Sequence, residues 1–122
     1  MTADPLGGLD IQALIDSFPY YVLIIDEDHH ILMANHAVRR DLQILPEDII
    51  GGYCPSIVHG LDDPYPGCPL ERAVAEDEDI EATFYDEERG ARVRSAVYFT
   101  GFKTPQGRRI YLHTSIALGG DD

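Results

Sequence analysis

Hydrophobic and polar positions along the chain follow first a helical period and then a strand period. After Asp10, which can cap a helix, apolar residues recur at helical spacing over Ile11–Phe18. Tyr20–Ile25 is a continuous apolar run of the kind found in strands that are covered on both faces. A turn rich in acidic residues separates it from a second apolar run, Ile31–Ala34. The pattern therefore predicts a short helix and then a hairpin over residues 20–34.

The middle of the chain predicts short helices and one long loop. Asn35 suits a helix N-cap, and Pro46–Ile50 predicts a further helix with Pro in its first turn and Gly51 after its end. Residues 51–69 are rich in Pro and Gly, and we expect a long irregular loop that holds both cysteines. Pro69 then begins a helix of about nine residues, which runs into an acidic stretch.

The last part of the chain reads as three strands. Ile80–Tyr85 precedes Arg92–Phe102, which alternates strictly between two faces, and Ile110–Leu118 has apolar residues at every second position. The order is helix, two strands, several short helices and three strands. It predicts an α+β domain with a five-stranded antiparallel sheet and short helices inserted between strands two and three.

The length of 122 residues allows one domain with one core. We expect residues 1–8 to be a flexible lead-in, residues 9–118 to be the domain and residues 119–122 to be a tail. Residues 1–8 lack the features of a signal peptide, and no apolar stretch is long enough to cross a membrane. The sequence predicts a cytoplasmic protein.

The net charge of −13 excludes some classes of partner. Phosphate backbones and anionic membrane surfaces attract basic proteins, so we expect neither nucleic acid nor a membrane as a partner. Residues 1–90 contain twenty acidic residues and four arginines, whereas residues 91–118 contain five basic residues and no acidic one. These basic residues could neutralise the acidic stretch at 76–88, or they could form a docking face for a partner or a second copy.

Several local motifs along the chain occur together in one known family of domains. Tyr21–Asp26 followed by Ile31–Ala37 is similar to the opening hairpin of PAS domains, in which the second strand leads into Asn-x-Ala. Pro46–Gly51 is similar to the short helix of that family that ends in Gly, and the three closing strands match its C-terminal hairpins. The resemblance covers about residues 9–118.

A second resemblance concerns the loop at 51–69. Its segments Gly52–Cys54, His59–Gly60 and Pro64–Leu70 resemble a subgroup of PAS domains in bacterial and archaeal sensor proteins that carries a cluster of Cys and His residues. Tyr65 stands where that subgroup has a further Cys. The departure removes one ligand from a four-ligand Cys/His site.

The resemblance implies a sensory or docking module and no enzymatic activity. PAS domains receive signals, or form dimers, on behalf of effectors such as histidine kinases and transcription regulators, and we expect a homodimer here. Some bind flavin or haem, but this sequence lacks the Asn-Cys-Arg motif of flavin photosensors and the Cys-x-x-Cys-His of covalent haem. The helix predicted at about 69–77 also lacks the His that haem-binding members use. Flavin and haem are therefore disfavoured, and the ligand remains open.

Three residues of the loop are candidate metal ligands. Cys54, His59 and Cys68 have the spacing C-x4-H-x8-C, and thiolate and imidazole are preferred ligands of zinc, while thiolates also hold iron. Three ligands are one short of a closed zinc site. Asp62, Asp63 or water would have to supply the fourth.

The two cysteines also allow other readings. Cys68 precedes a predicted helix, whose N-terminal amides lower the pKa of a thiol, so Cys54 and Cys68 could form a redox pair. They could instead be buried small hydrophobic residues, with His59 bonded to the loop backbone. A Cys68–His59 nucleophile pair in a small thiol enzyme is a remote alternative, because the sequence contains no recognised catalytic motif. His29 and His30 lie in the predicted hairpin turn, where we expect them to be solvated.

Overall fold

The structure is a computed structural model that describes residues 10–59, 62, 68–86 and 90–118, without the side chains of 57–59 and 86. The predicted lead-in, tail and parts of the cysteine loop lie outside these residues. The described chain forms five helices: α1 (Ile11–Asp16), α2 (Ala37–Asp41), α3 (Pro46–Ile49), α4 (Cys54–His59) and α5 (Pro69–Glu76). It also forms five strands: β1 (Val22–Asp26), β2 (Ile31–Ala34), β3 (Ile80–Asp86), β4 (Ala91–Lys103) and β5 (Arg109–Ala117).

The strands form one antiparallel sheet in the order β2-β1-β5-β4-β3. Helices α2 to α5 lie between β2 and β3 in the chain. The predicted fold class, an α+β domain with short helices inserted between strands two and three, is confirmed. The last strand, β5, lies at the centre, where it pairs with both β1 and β4.

The core lies between the helices and one face of the sheet. Strand β1 is buried on both faces, as its continuous apolar run predicts: Val22, Leu23 and Ile25 are all inaccessible to solvent. The helices cover the inner face with buried side chains that include Val38, Ile49, Leu70 and Ala73. Burial of this apolar surface is the main stabilising contribution to the fold.

The start of α1 and the end of α3 lie where the sequence predicts them. The Asp10 side chain accepts a hydrogen bond from the backbone N–H of Gln12 and so caps α1. Gly51 follows α3 with a φ of +85°, a left-handed conformation that favours glycine. In the same segment, backbone bonds join Gly51 and Gly52 to Ile31 of β2.

Asn35 does not act as a helix N-cap, contrary to the prediction. The N-cap of α2 is His36, and Asn35 is fully buried in front of it. Its amide accepts a hydrogen bond from the N–H of Val22 at 2.9 Å and donates to the carbonyls of Ile15 and Tyr20 at 2.7 and 3.0 Å. Asn35 therefore joins α1, β1 and β2 through groups that would otherwise be buried without partners.

The prediction of an irregular loop over 51–69 is wrong in its first part, because residues 54–59 form α4. Pro55 lies in the first turn of this helix, where a missing N–H group costs nothing. The Pro that suggested a loop is thus compatible with a helix start. Residues 60–61 and 63–67 of the segment lie outside the described residues.

Some of the basic residues of the last two strands pair with acidic residues within the chain. Arg109 lies 3.1 Å from Asp77 and 3.5 Å from Glu27, and Arg108 lies 2.8 Å from Asp28. Arg109 therefore neutralises part of the acidic stretch at 76–88. None of the helices in the described part of the chain is both long and apolar enough to cross a membrane.

Candidate functional site

Two regions at opposite ends of α5 carry the chemistry of this domain. The first, which we call the thiol cluster, consists of Cys54, Cys68, His29 and Glu71 near the first turn of the helix. The second, which we call the acidic groove, is lined near the last turn by Ala73, Asp77, Glu78, Asp79, Phe99 and Tyr111. At 1.5 Å per residue, the eight residues of α5 span about 12 Å between these regions.

Cys54 is positioned by the hairpin between β1 and β2. An isolated bridge pairs His30 with Tyr53, and the N–H of Cys54 donates to the carbonyl of His29 at 2.8 Å. These bonds fix the first residue of α4 against the hairpin turn. The Cys54 side chain packs against the hydrophobic core.

Cys68 is the N-cap residue of α5, as the sequence predicts, and Pro69 occupies the first helical position. Its side chain also packs against the core and forms no cap hydrogen bond. Both cysteines are free thiols. The fold thus brings Cys54 and Cys68, which are fourteen positions apart in the sequence, to the edge of one core.

Burial makes both thiols weak acids. Burial raises the pKa of Cys54 from 9.0 to about 12, and the proximity of Cys68 adds to the effect. Burial also raises the pKa of Cys68, although the amides of Leu70 and Glu71 oppose it. The expected lowering of the Cys68 pKa by the helix start is therefore outweighed. Because the thiolate is the nucleophile, this environment disfavours the thiol enzyme.

His29 is buried rather than solvated, so the expectation for this residue is wrong. Only 3% of it is exposed, and its Nε2 lies 2.7 Å from Oε2 of Glu71. A carboxylate only accepts hydrogen bonds, so Nε2 of His29 carries the proton. The edge of the ring also contacts Tyr53, with the ring centroids 5.9 Å apart. His29 thus ties the hairpin turn to the first turn of α5.

Only some of the predicted metal-ligand side chains lie among those that the structure describes. The backbone of His59 ends α4, but its side chain lies outside them. Asp63 also lies outside, whereas Asp62 is described. Across the described ranges, no three His, Cys, Asp or Glu side chains are grouped so that they could hold a metal ion. The C-x4-H-x8-C set stays a prediction.

The acidic groove is an open depression of about 350 Å³ between the end of α5 and the adjoining strands. The backbone turns sharply at Asp77, which has a φ of +55° and lies in the left-handed region. Asp79 is fixed in its turn because Oδ1 accepts the N–H of Phe99 at 3.0 Å. These contacts hold the acidic residues at the rim, above two aromatic rings.

The two aromatic residues come from neighbouring positions on β4 and β5. Phe99 pairs with Tyr111 across the strands, and their ring centroids lie 5.5 Å apart. Tyr111 is only 2% exposed, whereas Phe99 is 41% exposed. The sheet therefore presents a buried phenol and a half-exposed phenyl ring to the same groove.

The Tyr111 hydroxyl forms no hydrogen bond with any residue that the structure describes. Burial raises its pKa; Arg109 opposes the rise, and Glu27, Asp77 and Asp79 add to it. The hydroxyl is therefore neutral at physiological pH, and it lies within electrostatic range of the rim carboxylates.

A third region lies on the outer face of the sheet. It is a shallow groove of about 200 Å³, lined by residues of β1, β3, β4 and β5 and by Phe18 and Tyr20. The apolar positions Leu112 and Ile116 of β5, which stand out in the sequence, lie here rather than in the core. Arg94 and Glu81 make this face partly charged.

Comparisons with known proteins give structural matches only. No family model matches the chain, and no curated protein sequence matches it. A similar solved structure is the photoactive yellow protein domain of the sensor histidine kinase Ppr from Rhodospirillum centenum, with 19% identity and a TM-score of 0.67. The match covers 89% of this chain and 94% of that one.

Two further structures support the same fold. The PAS domain of nitrogen regulation protein NR(II) from Vibrio parahaemolyticus is 15% identical, with a TM-score of 0.65, and the match covers 88% of this chain and 97% of that one. A domain of an HTR-like protein from Haloarcula marismortui is 13% identical, with a TM-score of 0.64, over 84% of this chain and 100% of that one. The chain therefore has the PAS fold, as the sequence motifs predict.

Proposed function

We propose that this chain, which has the fold of PAS domains found in sensor proteins, is a signal-sensing module that binds a small ligand in the acidic groove. The observation that carries the proposal is the groove itself, an open depression of about 350 Å³ in which the rings of Phe99 and Tyr111 lie beside the acidic residues of the turn after α5. The Tyr111 hydroxyl, which can both donate and accept a hydrogen bond, is a group that a ligand in the groove would contact. The groove is also concave and combines apolar with polar groups, as ligand sites do.

The position of the groove suits a site from which ligand binding could alter the rest of the domain. Its lining residues belong to α5, to the turn after α5 and to the neighbouring strands β4 and β5. A ligand that contacts Phe99 and Asp79 would change how the end of α5 sits on the sheet. Only a ligand that binds one arrangement better than another can shift the balance between them. We propose that an effector domain or partner, such as a histidine kinase or a transcription regulator, reads this shift.

The proposal includes a homodimer. Two large apolar residues of α1, Ile11 and Leu14, are 57% and 47% exposed, and they lie on the same side of the helix. A second copy would cover them, as expected of exposed apolar residues at interfaces. Light scattering with size-exclusion chromatography tests this: Ile11→Glu should convert a dimer into a monomer. Gln106→Glu, in the exposed turn between β4 and β5, serves as the charge control. A wild-type monomer at high concentration would exclude the homodimer.

The ligand proposal is tested by screening small molecules against the protein with ring-labelled Phe and Tyr, observed by NMR. Ligands of the groove should shift the ring signals of Phe99 and Tyr111 and leave those of Phe18 and Tyr20, on the outer face, unchanged. The Tyr111→Phe variant assigns one signal and serves as the reference. If every bound compound shifts only the outer-face rings, the groove is not the ligand site.

A second candidate function concerns the thiol cluster and is favoured by the proximity of the two thiols. Cys68 lies near enough to Cys54 to contribute to the rise in the pKa of Cys54, and both side chains pack against the edge of one core. With His59 they would bind zinc or iron; without metal, a peroxide could oxidise the two thiols to a disulfide, releasing water. Free thiols of this kind persist in a reducing compartment, so the proposal includes a cytoplasmic location.

Metal analysis and thiol counting on protein purified without chelator distinguish metal binding from a redox pair. One equivalent of zinc or iron that is lost in Cys54→Ser would support metal binding. Absence of metal, with two thiols that disappear together under peroxide, would support the redox pair. Absence of metal with two thiols that resist peroxide would contradict both and leave the cysteines as core residues.

A further inference from the structure

We propose that the outer face of strands β3 to β5 is a docking surface for an acidic, amphipathic segment of a partner protein. This surface, which we call the arginine face, consists of Arg92, Arg94 and Tyr85 together with the shallow groove of about 200 Å³ beside Arg94. It is distinct from the proposed ligand site, and its role does not depend on that proposal. Three features carry it: uncompensated positive charge, exposed aromatic surface and an apolar groove.

The arginines of the last two strands divide into two groups. Arg108 and Arg109 form ion pairs with acidic residues of the same chain. Arg92 and Arg94 are exposed, and neither forms an ion pair with any residue that the structure describes. The chain contains 22 acidic residues, so carboxylates are not scarce. Internal neutralisation therefore explains the first group of arginines, and the second group is left for a partner.

The strand register places both unpaired arginines on one face of the sheet. Side chains alternate along β4, and the positions on either side of Arg94 are buried on the opposite face. Directly paired residues share a face: Arg92 pairs with Tyr85 of β3, and Arg94 pairs with Ile116 of β5. At two residues along a strand, the Cα atoms of the two arginines lie about 7 Å apart.

Aromatic and apolar groups lie beside the two charges. Tyr85, the cross-strand neighbour of Arg92, is 59% exposed. The groove beside Arg94 includes two aromatic and two aliphatic side chains in its lining, namely Phe18, Tyr20, Leu112 and Ile116. Protein interfaces are enriched in arginine and in aromatic residues, and these two types also carry much of the binding energy. The composition of this face is therefore typical of an interface.

The charge of the arginine face selects an acidic partner. Glu81, the acidic residue of this face on β3, accepts a hydrogen bond from the Tyr98 hydroxyl. Two arginines against one carboxylate leave a net charge of +1 on the outer face of β3 to β5, whereas the whole chain has a net charge of −13. An acidic segment is attracted here and repelled by most of the remaining surface.

The spacing of the two arginines also suits a helical partner. Two carboxylates one turn apart on a helix are separated by about 6 Å along its axis, close to the separation of the arginine Cα atoms. An apolar side chain on the same side of such a helix would enter the groove beside Arg94. The segment therefore needs both carboxylates and a large apolar residue.

Calorimetric titration of the whole chain with a synthetic helical peptide at physiological ionic strength tests this assignment. The peptide carries two glutamates one turn apart beside leucines. We expect saturable binding that Arg94→Gln weakens about threefold, and that Arg92→Gln combined with Arg94→Gln weakens about tenfold, as is typical of exposed ion pairs. Arg39→Gln removes an exposed arginine of α2, away from the arginine face, and is the matched control. It should leave the affinity unchanged.

Two altered peptides and one spectroscopic measurement test the chemistry and the location. Replacing the glutamates by glutamines should weaken binding about tenfold, through the loss of both ion pairs. Replacing the leucines by serines should abolish measurable binding, because the groove then buries no apolar surface. In NMR spectra of protein with ring-labelled Phe and Tyr, the glutamate peptide should shift the signals of Tyr20 and Tyr85. Those of Phe99 and Tyr111 should not move.

Several outcomes would overturn the assignment. Equal affinity for the glutamate and glutamine peptides would show that charge does not select the partner. Equal weakening by Arg39→Gln and Arg94→Gln would show a general attraction, and shifts confined to Phe99 and Tyr111 would locate the peptide on the wrong face. Absence of saturable binding up to about 1 mM peptide would also contradict docking.

The remaining occupant of this face is a second copy of the chain, and light scattering distinguishes it from an acidic partner. If Arg94→Gln converts a wild-type dimer into a monomer, a second copy covers the arginine face and the partner proposed here is wrong. An unchanged oligomeric state in Arg94→Gln supports the acidic partner. None of these results depends on a ligand in the acidic groove, so the two proposals succeed or fail separately.

Discussion

The two ends of α5 are built in contrasting ways. At its first turn, Leu70 is buried, Glu71 bonds the buried His29, and Cys68 packs against the core. At its last turn, Asp77 is highly exposed and adopts a left-handed conformation beside an open groove. The first end of the helix is therefore fixed by packing and by a buried imidazole, whereas the last end is held by backbone hydrogen bonds to Ala73 and by an exposed ion pair.

This difference separates the residues that stabilise the domain from those available for binding. Exposed ion pairs contribute little to stability, typically about 0–1 kcal/mol, while a buried apolar side chain contributes several times as much. A ligand that rearranges the last turn of α5 would disturb few stabilising contacts. The first turn of α5 and the two cysteines near it would stay in place. Local motion is expected where buried contacts are few.

The largest expected effect concerns the reactivity of Cys54 at the fixed end. Because burial raises its pKa from 9.0 to about 12, we expect about 1,000-fold less thiolate at neutral pH than in the unfolded chain. Alkylation of Cys54 should be slower in the native protein by about that factor, as measured in a Cys68→Ser background. Equal alkylation rates in native and denatured protein would contradict a buried thiol.

The same pKa shift predicts a loss of stability at high pH. The thiol is protonated in both states below pH 9, and above pH 9 only the unfolded chain ionises freely, which favours unfolding. The free energy of unfolding should therefore fall between pH 9 and about 12, and the fall should be smaller in Cys54→Ala. Identical pH profiles for the two proteins would exclude this contribution from Cys54.

Substitutions in the core and at the groove should differ clearly in their effect on stability. Leu70→Ala should lower the free energy of unfolding by about 3 kcal/mol, because it leaves a cavity beneath the first turn. Phe99→Ala, at the half-exposed ring, should cost about 1 kcal/mol. Urea denaturation measures both. Equal losses in the free energy of unfolding would contradict the view that the first turn of α5 contributes more to stability than the groove does.

A smaller effect is expected from the bond between His29 and Glu71. Glu71→Ala leaves the buried imidazole without its acceptor and should cost about 1 kcal/mol, since the carboxylate is itself half-exposed. Glu71→Gln retains an acceptor oxygen and should cost less. Thermal unfolding of the two variants provides the comparison. Equal losses would show that a neutral acceptor cannot replace the carboxylate.

The smallest effect is expected at the open end of the helix. Asp77→Asn removes the ion pair with Arg109 and retains a residue type that tolerates the left-handed conformation. The free energy of unfolding should change by less than about 0.5 kcal/mol. A loss above about 1 kcal/mol in urea denaturation would show that this exposed ion pair does hold the helix end.

The strand pattern and the fold could be predicted from the sequence, because the alternation along β4 corresponds to its burial. Val93, Ser95 and Val97 are buried and their neighbours Arg92 and Arg94 are exposed. The helix signals were less reliable. Pro55 suggested a loop but lies in the first turn of α4, and Asn35 suggested a cap but bonds three buried backbone groups instead. Both residue types suit more than one local structure.

The acidic groove could not be predicted from the sequence. In β5, the apolar residues at alternate positions line the outer face, while Tyr111 lies on the inner face among polar neighbours. Periodicity alone does not show which face of a central strand meets the helices. His29 likewise looked like a turn residue, because its partner Glu71 is 42 positions away. Such pairings depend on tertiary structure.

The central position of β5 has a consequence for synthesis of the protein on the ribosome. Strand β5 pairs with β1 on one side and with β4 on the other, so it joins two hairpins that are otherwise separate. Until residues 109–117 leave the exit tunnel, β1 and β4 each expose an unpaired edge. The sheet can therefore close only after Ala117 has left the tunnel, and nascent chains that stall before Arg109 should be substrates for chaperones and prone to aggregation.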